Sequence, residues 1–387
     1  MEKSIKVTLI MTIIFAVITA WSIERWSQTA HGQLPSKTAV VLHAINNNLV
    51  SLDANIEAPD FLSPDSSSND KVMKKHDTSI SVGKSNEIPV RIYHYSDVED
   101  APVIMYYHGG AFLEGYGSLE SHDSLIRSLA AKTGAVVVSP GYRVAPEYIF
   151  PTAVEDSYKA LKWAHDNAEK YGGNPDKMGV AGDSAGGNLA AVTALKSRDL
   201  NGPDLFAQVL YYPLTTFRDV EFDSRTMYDS GYYLLSKQVM MKARSSYTPK
   251  ESMWENPYTS PLNANDLSDL PPAHIITAQF DPLRDEGELY GEKLHEAGVP
   301  VNTVRYNGVM HGFVSFYEVM GSGNMALQES AQFLKKADDE TPQPSKNYEL
   351  RIEEGSSGFK HFKEEAEAFA IGAFLVGKSI MNLLTKK

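Results

Sequence analysis

The chain has 387 residues, enough for one large domain with insertions or two ordinary ones. A formal net charge of −13 excludes nucleic acid as the main partner, because phosphate binding demands concentrated Lys and Arg. The lack of cysteine excludes disulfides, thiolate metal sites and a thiol nucleophile, while an apolar content of 42% suits a globular core.

Lys3 and Lys6 precede an apolar run from Val7 to Trp21, broken only by threonines and ended by Glu24 and Arg25. A basic start followed by such a run is the pattern of an export signal or a retained N-terminal anchor over residues 1–32. Ala20-Trp21-Ser22 is a poor cleavage site because tryptophan sits inside it. Export, with the body outside the cytoplasm, is the expectation, and membrane association through this segment stays open. From Pro35 to Asn55 the spacing of Val40, Val41, Ala44, Ile45 and Leu49 predicts a helix. Residues 59–75 are polar and read as a loop. Ile88 to Tyr95 alternates like a half-exposed strand, and Pro102 to Tyr107 reads as a strand buried on both faces.

That strand leads into His108-Gly109-Gly110-Ala111-Phe112. A glycine pair after a central strand lets the backbone bend with its N–H groups pointing inward, where they can receive a developing oxyanion. A helix over 120–132, a strand over 135–138, the loop Gly141 to Glu147 and a long helix over 152–171 follow. Gly172-Gly173-Asn174-Pro175 stops that helix. A strand from Lys177 to Ala181 then meets Gly182-Asp183-Ser184-Ala185-Gly186, with a helix from Ala185 to Lys196. Serine between glycines at a strand-to-helix turn is a nucleophile-elbow pattern, weak when it stands alone. A Cβ at either flank would crowd the neighbouring strand and helix.

Phe206 to Tyr212 is a further buried strand. Residues 217–258, rich in Met, Tyr, Ser and charge, break the alternation and are expected to form a helical cap with residues 33–58. The alternation resumes with a strand over 273–278, a helix over 283–297, a strand over 301–306, a loop over 307–310 and a helix over 325–336. Strands alternating with helices predict an α/β fold with a mostly parallel sheet covered on both faces.

A serine nucleophile needs a histidine base held by a carboxylate, in the chain order Ser, acid, His after late strands. Asp281 and His311 meet that order. His108 is upstream of the serine and fits badly, and the rivals Asp285 and Glu286 fall inside a helix. Five motifs together then carry a resemblance: His108-Gly109-Gly110, Tyr142 to Glu147, Gly182 to Gly187, Asp281 to Asp285, and His311-Gly312-Phe313. In this order, over residues 80–335, they resemble the hormone-sensitive-lipase-like branch of the α/β-hydrolases. The resemblance implies an α/β-hydrolase fold and a carboxylesterase acting on small-molecule esters of short or medium acyl length, with no cofactor and no metal. It implies Ser184 as nucleophile, Asp281 as acid, His311 as base, and Gly109, Gly110 and Ala185 as oxyanion donors. Asp183, Tyr142, Arg143 and Glu147 become structural support. The chain departs from the family at Ala111, where a third glycine is usual. A non-catalytic binding protein and an amidase or peptidase remain alternative readings. No feature sets an oligomeric state.

Residues 339–387 lie outside the resemblance. Residues 342–357 read as a polar linker, and 362–384 as a helical tail. Its apolar stretch Ala368–Val376 is too short to span a membrane. Docking of the tail onto the body, a partner or a membrane surface stays open.

Overall fold

A computed structural model describes residues 2–49, 72–83, 86–355 and 357–385. Expectations for residues 50–71 lie outside these. The chain opens with α1 (Glu2–Ser27), a two-residue hairpin β1 (Gln28–Thr29) and β2 (Gly32–Gln33), and α2 (Ser36–Asn46). It continues through β3 (Met73–Gly83), β4 (Asn86–Tyr95), β5 (Ala101–Tyr107), α3 (Asp123–Thr133), β6 (Val136–Pro140) and α4 (Thr152–Asn167). Next come β7 (Gly173–Asp183), α5 (Ala185–Asp199), β8 (Leu205–Tyr211), α6 (Asp223–Met227) and α7 (Lys237–Tyr247). The last part contains β9 (Ala273–Phe280), α8 (Arg284–Glu296), β10 (Val301–Met310), α9 (Gly321–Asp339), β11 (Leu350–Glu353) and α10 (Gly358–Thr385).

Among the described residues nine strands form one sheet in the order β11-β10-β9-β8-β7-β5-β6-β4-β3. All neighbours from β6 to β11 pair parallel, and β4 runs antiparallel to both β6 and β3. The central strand β5 explains its sequence: Val103, Ile104, Met105, Tyr106 and Tyr107 are all fully buried, because helices cover both faces. α4, α5 and α8 pack on one face with Leu161, Leu189 and Leu294 in the core. α3 and α9 cover the other with Ile126, Leu129 and Leu327. α5, directly behind the elbow, is buried from Ala185 to Ser197, so its small and aliphatic residues occupy every side rather than one stripe.

Two expectations need correction. Residues 307–310 are not a loop: β10 runs on to Met310 after an irregularity in its pairing with β9, so His311 directly follows the strand tip. The segment 342–357 is not only a linker, because Leu350 to Glu353 adds as the edge strand β11, parallel to β10. Arg351 secures it by pairing with Glu329 on α9. α2 lies at the end of β10, where Thr38 Oγ1 donates to Gly308 O at 2.7 Å, and its Ala39 and Leu42 share a buried cluster with Tyr228, Tyr233 and Phe280. It packs against α1 and α10 and reaches residues 217–258 through Asn46, whose Nδ2 donates to Tyr232 O at 2.9 Å. The strands β1, β2, β3 and β11 were not expected. β3 is mostly polar with only Ile80 and Val82 buried, and β11 is four residues long.

Candidate active site

The turn from β7 to α5 holds Ser184 at φ 56° and ψ −116°, a strained conformation for a residue with a Cβ. The flanking glycines make it possible. A Cβ on Gly186 would stand 1.9 Å from Tyr107 O, and one on Gly182 would stand 2.2 Å from Gly186 O. The hydroxyl of Ser184 therefore leaves the sheet edge beside the first turn of α5.

Three side chains from three loops meet there. Ser184 Oγ lies 3.0 Å from His311 Nε2, and His311 Nδ1 lies 2.8 Å from Asp281 Oδ2. Asp281, at the tip of β9, is fully buried and also accepts from the Leu283 N–H at 2.8 Å through Oδ1. His311 is almost buried, with its ring edge-on to Tyr212 at 5.0 Å. The rival carboxylates serve elsewhere. Asp285 accepts from Ser224 N, and Glu286 accepts from Thr215 N and Arg225 Nε. The rival His108 stacks on Tyr142, and its Nδ1 faces Gly109 O at 2.7 Å. Burial pushes this imidazole down to about 4, so it is neutral at ordinary pH.

The loop after β5 brings a further correction. The Gly109 N–H donates to Asp183 Oδ1 at 2.9 Å, so it is committed inward and unavailable to a ligand at Ser184. The backbone N–H groups of Gly110 and Ala111 find no acceptor among the described residues, and both residues border the clefts at Ser184. Ala185 is the first residue of α5, where the N–H has no intrahelical partner. The three N–H groups available around Ser184 are thus those of Gly110, Ala111 and Ala185. Ala111 and Phe112 both sit at positive φ, 55° and 59°.

Behind this loop lies a buried network. Asp183 accepts from Tyr106 Oη at 2.7 Å as well as from Gly109, and His122 Nε2 approaches its Oδ2 at 3.3 Å. The other ring nitrogen of His122 faces Ser118 O at 3.1 Å. Both nitrogens thus face acceptors, an arrangement satisfied by the doubly protonated ring. Burial alone would lower the His122 pKa, but the Asp183 carboxylate outweighs it and holds the imidazolium above its usual range. Burial would raise Asp183, but the charge and hydrogen bond of His122 hold it below. His122 carries no motif in the sequence; only the fold of the 118–122 turn shows its role. Nearby, the expected support from Tyr142 and Arg143 takes the form of Tyr142 Oη donating to His108 O at 2.6 Å and Arg143 gripping Asp156 on α4.

Two clefts meet at Ser184. The first, of about 330 Å³, is lined by Leu214, Phe217, Val220, Leu235, Met240 and Met241, mostly from the segment 217–258. The second, of about 220 Å³, lies on the His311 side with Tyr116, Tyr212, Leu234, Phe316 and Val319. Met240 and Met241 form cleft wall, whereas Tyr228 and Tyr233 pack down onto Phe280. Among the described residues no cluster of three or more His, Asp or Glu is placed to hold a metal ion.

Comparison with known proteins agrees with this architecture. A family model described as alpha/beta hydrolase fold matches residues 104–315. The carboxylesterase NlhH of Mycobacterium tuberculosis is 42% identical over 256 residues, covering 65% of this chain and 79% of that protein. An arylesterase of Saccharolobus solfataricus is 42% identical over 228 residues, covering 59% of this chain and 73% of its own. Among solved structures, a hyperthermophilic esterase from the archaeon Pyrobaculum calidifontis aligns with a TM-score of 0.65 at 46% identity, over 68% of this chain and 83% of that one.

Proposed function

The chain belongs to the α/β-hydrolase family, and from that premise we propose that it hydrolyses carboxylic esters of short to medium acyl length through a covalent acyl-serine. The observation that carries this reading is the hydrogen-bonded line from Ser184 Oγ through His311 to the buried Asp281. A neutral serine is a poor nucleophile, and this line supplies its base. His311 Nε2 takes the hydroxyl proton as Oγ attacks the ester carbonyl carbon. Asp281 holds the Nδ1–H tautomer and stabilises the imidazolium that forms. The negative oxygen of the tetrahedral species is received by the N–H groups of Gly110, Ala111 and Ala185, each worth about 3 kcal/mol in the transition state. His311 returns the proton to the leaving alkoxide. Water then repeats the cycle on the acyl-enzyme, releasing the carboxylic acid and restoring the serine.

The apolar first cleft suits an acyl chain, and its size favours short and medium chains over long ones. Ser184→Ala is expected to lower kcat on nitrophenyl butyrate by about 10⁶-fold, with an unchanged far-ultraviolet dichroism spectrum. Hydrolysis retained by that variant overturns the assignment.

The same proposal extends to location: the protein is exported, with the catalytic body on the outer face of the cytoplasmic membrane and α1 as an anchor. In support, Lys3 and Lys6 precede the apolar run, and Ser4–Ser27 is long and apolar enough to cross a bilayer.

A further inference from the structure

We infer that the membrane-embedded part of this protein is a pair of helices, α1 and α10, whose antiparallel packing carries the C-terminus back across the bilayer to the side of the N-terminus. This rests on the proposed anchoring of α1 and extends it to the other end of the chain.

The two helices meet through small residues. Gly372 packs so close to α1 that a Cβ would stand 2.7 Å from Ile23 Cδ1 and 3.6 Å from Thr19 Cγ2, and a Cβ on Gly377 would stand 3.9 Å from Phe15 Cζ. Ala368, one turn earlier, is fully buried. Close approach over glycine and alanine is how helices associate where solvent provides no hydrophobic drive. These contacts also fix the register. Residue 372 lies level with 19–23 and residue 377 with 15, so one helix descends as the other rises. On that register Ala368–Leu384 of α10 runs alongside Val7–Ile23 of α1, residue for residue to within about one helical turn. The apolar run Val7–Trp21 of α1 thus faces Ala368–Val376 and the turns of α10 that follow it. Each of the paired segments rises about 25 Å, and the flanking turns extend the pair past the ~30 Å hydrocarbon core.

The outer surfaces fit lipid. Ile5, Leu9, Ile13 and Val17 on α1 are exposed by 54–62%, and Phe374 on α10 by 67%. The threonine hydroxyls along α1 are satisfied within the helix: Thr8, Thr12 and Thr19 donate to Ser4 O, Thr8 O and Phe15 O. Trp21 and Trp26 stand at the body end of α1, at the level where a lipid headgroup region would lie. The remote end of α1 carries Lys3 and Lys6, and in the sequence Lys386 and Lys387 follow α10. That is the charge bias of segments retained on the cytoplasmic side. Ala368–Val376 alone would be too short. Lys378 interrupts the run, but it lies about 9 Å before Leu384, within reach of snorkelling towards the basic end.

The test uses the natural absence of cysteine. Two variants of the full-length chain each carry one thiol, Gln343→Cys on the exposed surface of the body and Lys387→Cys at the end of the chain. Both are produced in a bacterial host and exposed as spheroplasts to a membrane-impermeant maleimide, before and after permeabilisation. The expected result is that the Gln343→Cys protein labels in intact spheroplasts and the Lys387→Cys protein labels at least 10-fold more after permeabilisation. Equal labelling of both from outside overturns the hairpin while leaving the α1 anchor standing. Protection of Gln343→Cys in intact spheroplasts overturns the exported orientation itself.

Discussion

Ala111 borders both clefts at Ser184 and holds a left-handed backbone conformation that costs an L-residue roughly 1 kcal/mol. Its N–H is one of three able to receive an oxyanion, and its methyl is the one part of that loop side chain that limits room. Ala111→Gly keeps the donor and removes the methyl. We expect kcat on an acetate ester to stay within about threefold, while kcat/KM for a branched acyl ester rises by about tenfold relative to it, as one methyl's worth of crowding allows. Steady-state kinetics on the matched pair checks this. His122 offers a different readout. Its pKa is raised in the fold, so its contribution to stability is complete below the ordinary imidazole value of about 6.5 and fades as pH rises through the raised value. Asp183 is lowered, so its share is present above the ordinary carboxylate range and fades as pH falls through the lowered value. The melting temperature of the wild type should therefore exceed that of His122→Gln most between about pH 4 and 6.5. The gap should narrow towards pH 9, and a gap that does not change with pH would contradict the ion pair.

At the scale of elements, the cap segment is tied to the loop that carries the acid. Ser224 Oγ on α6 donates to Pro282 O, and Arg225 reaches Glu286, which is fully buried at the start of α8. Removing the cation leaves a buried carboxylate without its partner. Arg225→Met is expected to destabilise the protein by about 3–5 kcal/mol, and Arg225→Met with Glu286→Leu to recover much of that. Urea unfolding midpoints of the three proteins test it. Elements like these were unevenly legible in the sequence. The buried strands β5, β7 and β8 announced themselves through continuous apolar runs, and the spacing of Ser184, Asp281 and His311 followed from the tips of those strands and their successors. β3 and β11 were silent because an edge strand needs few apolar residues. The choice between Gly109 and Ala111 as a donor was beyond the sequence, since it depends on which N–H Asp183 takes. His122 was invisible for a related reason: its partner lies 61 residues away, and no local pattern links them.

The molecule as a whole consists of a sheet domain that carries the chemistry and a smaller group of helices α1, α2 and α10 built from the two ends of the chain. Their shared core contains Ile23, Val40, Ala44, Ala368 and Leu375. Lys37 on α2 pairs with Glu367 on α10 at its margin. None of this touches Ser184, His311 or Asp281. Deleting residues 341–387 should therefore leave kcat in detergent within about threefold of wild type. It should lower the melting temperature by about 10 °C, the loss of several kcal/mol from an edge strand and a docked helix. Differential scanning calorimetry beside an ester assay separates the two effects.

The packing of α10 on α1 also has a consequence in time. Synthesis delivers α1 first and α10 last, with more than three hundred residues between them. The groove into which Gly372 fits therefore stays open while the whole sheet domain is being made. Ile23 and Thr19 wait for a partner that the ribosome has yet to release, and domains elsewhere in the chain fold as units before it arrives. The final seam of the protein closes between its oldest and its youngest segments, so a chain cut short by its last few turns has a formed catalytic body and an unfinished foot.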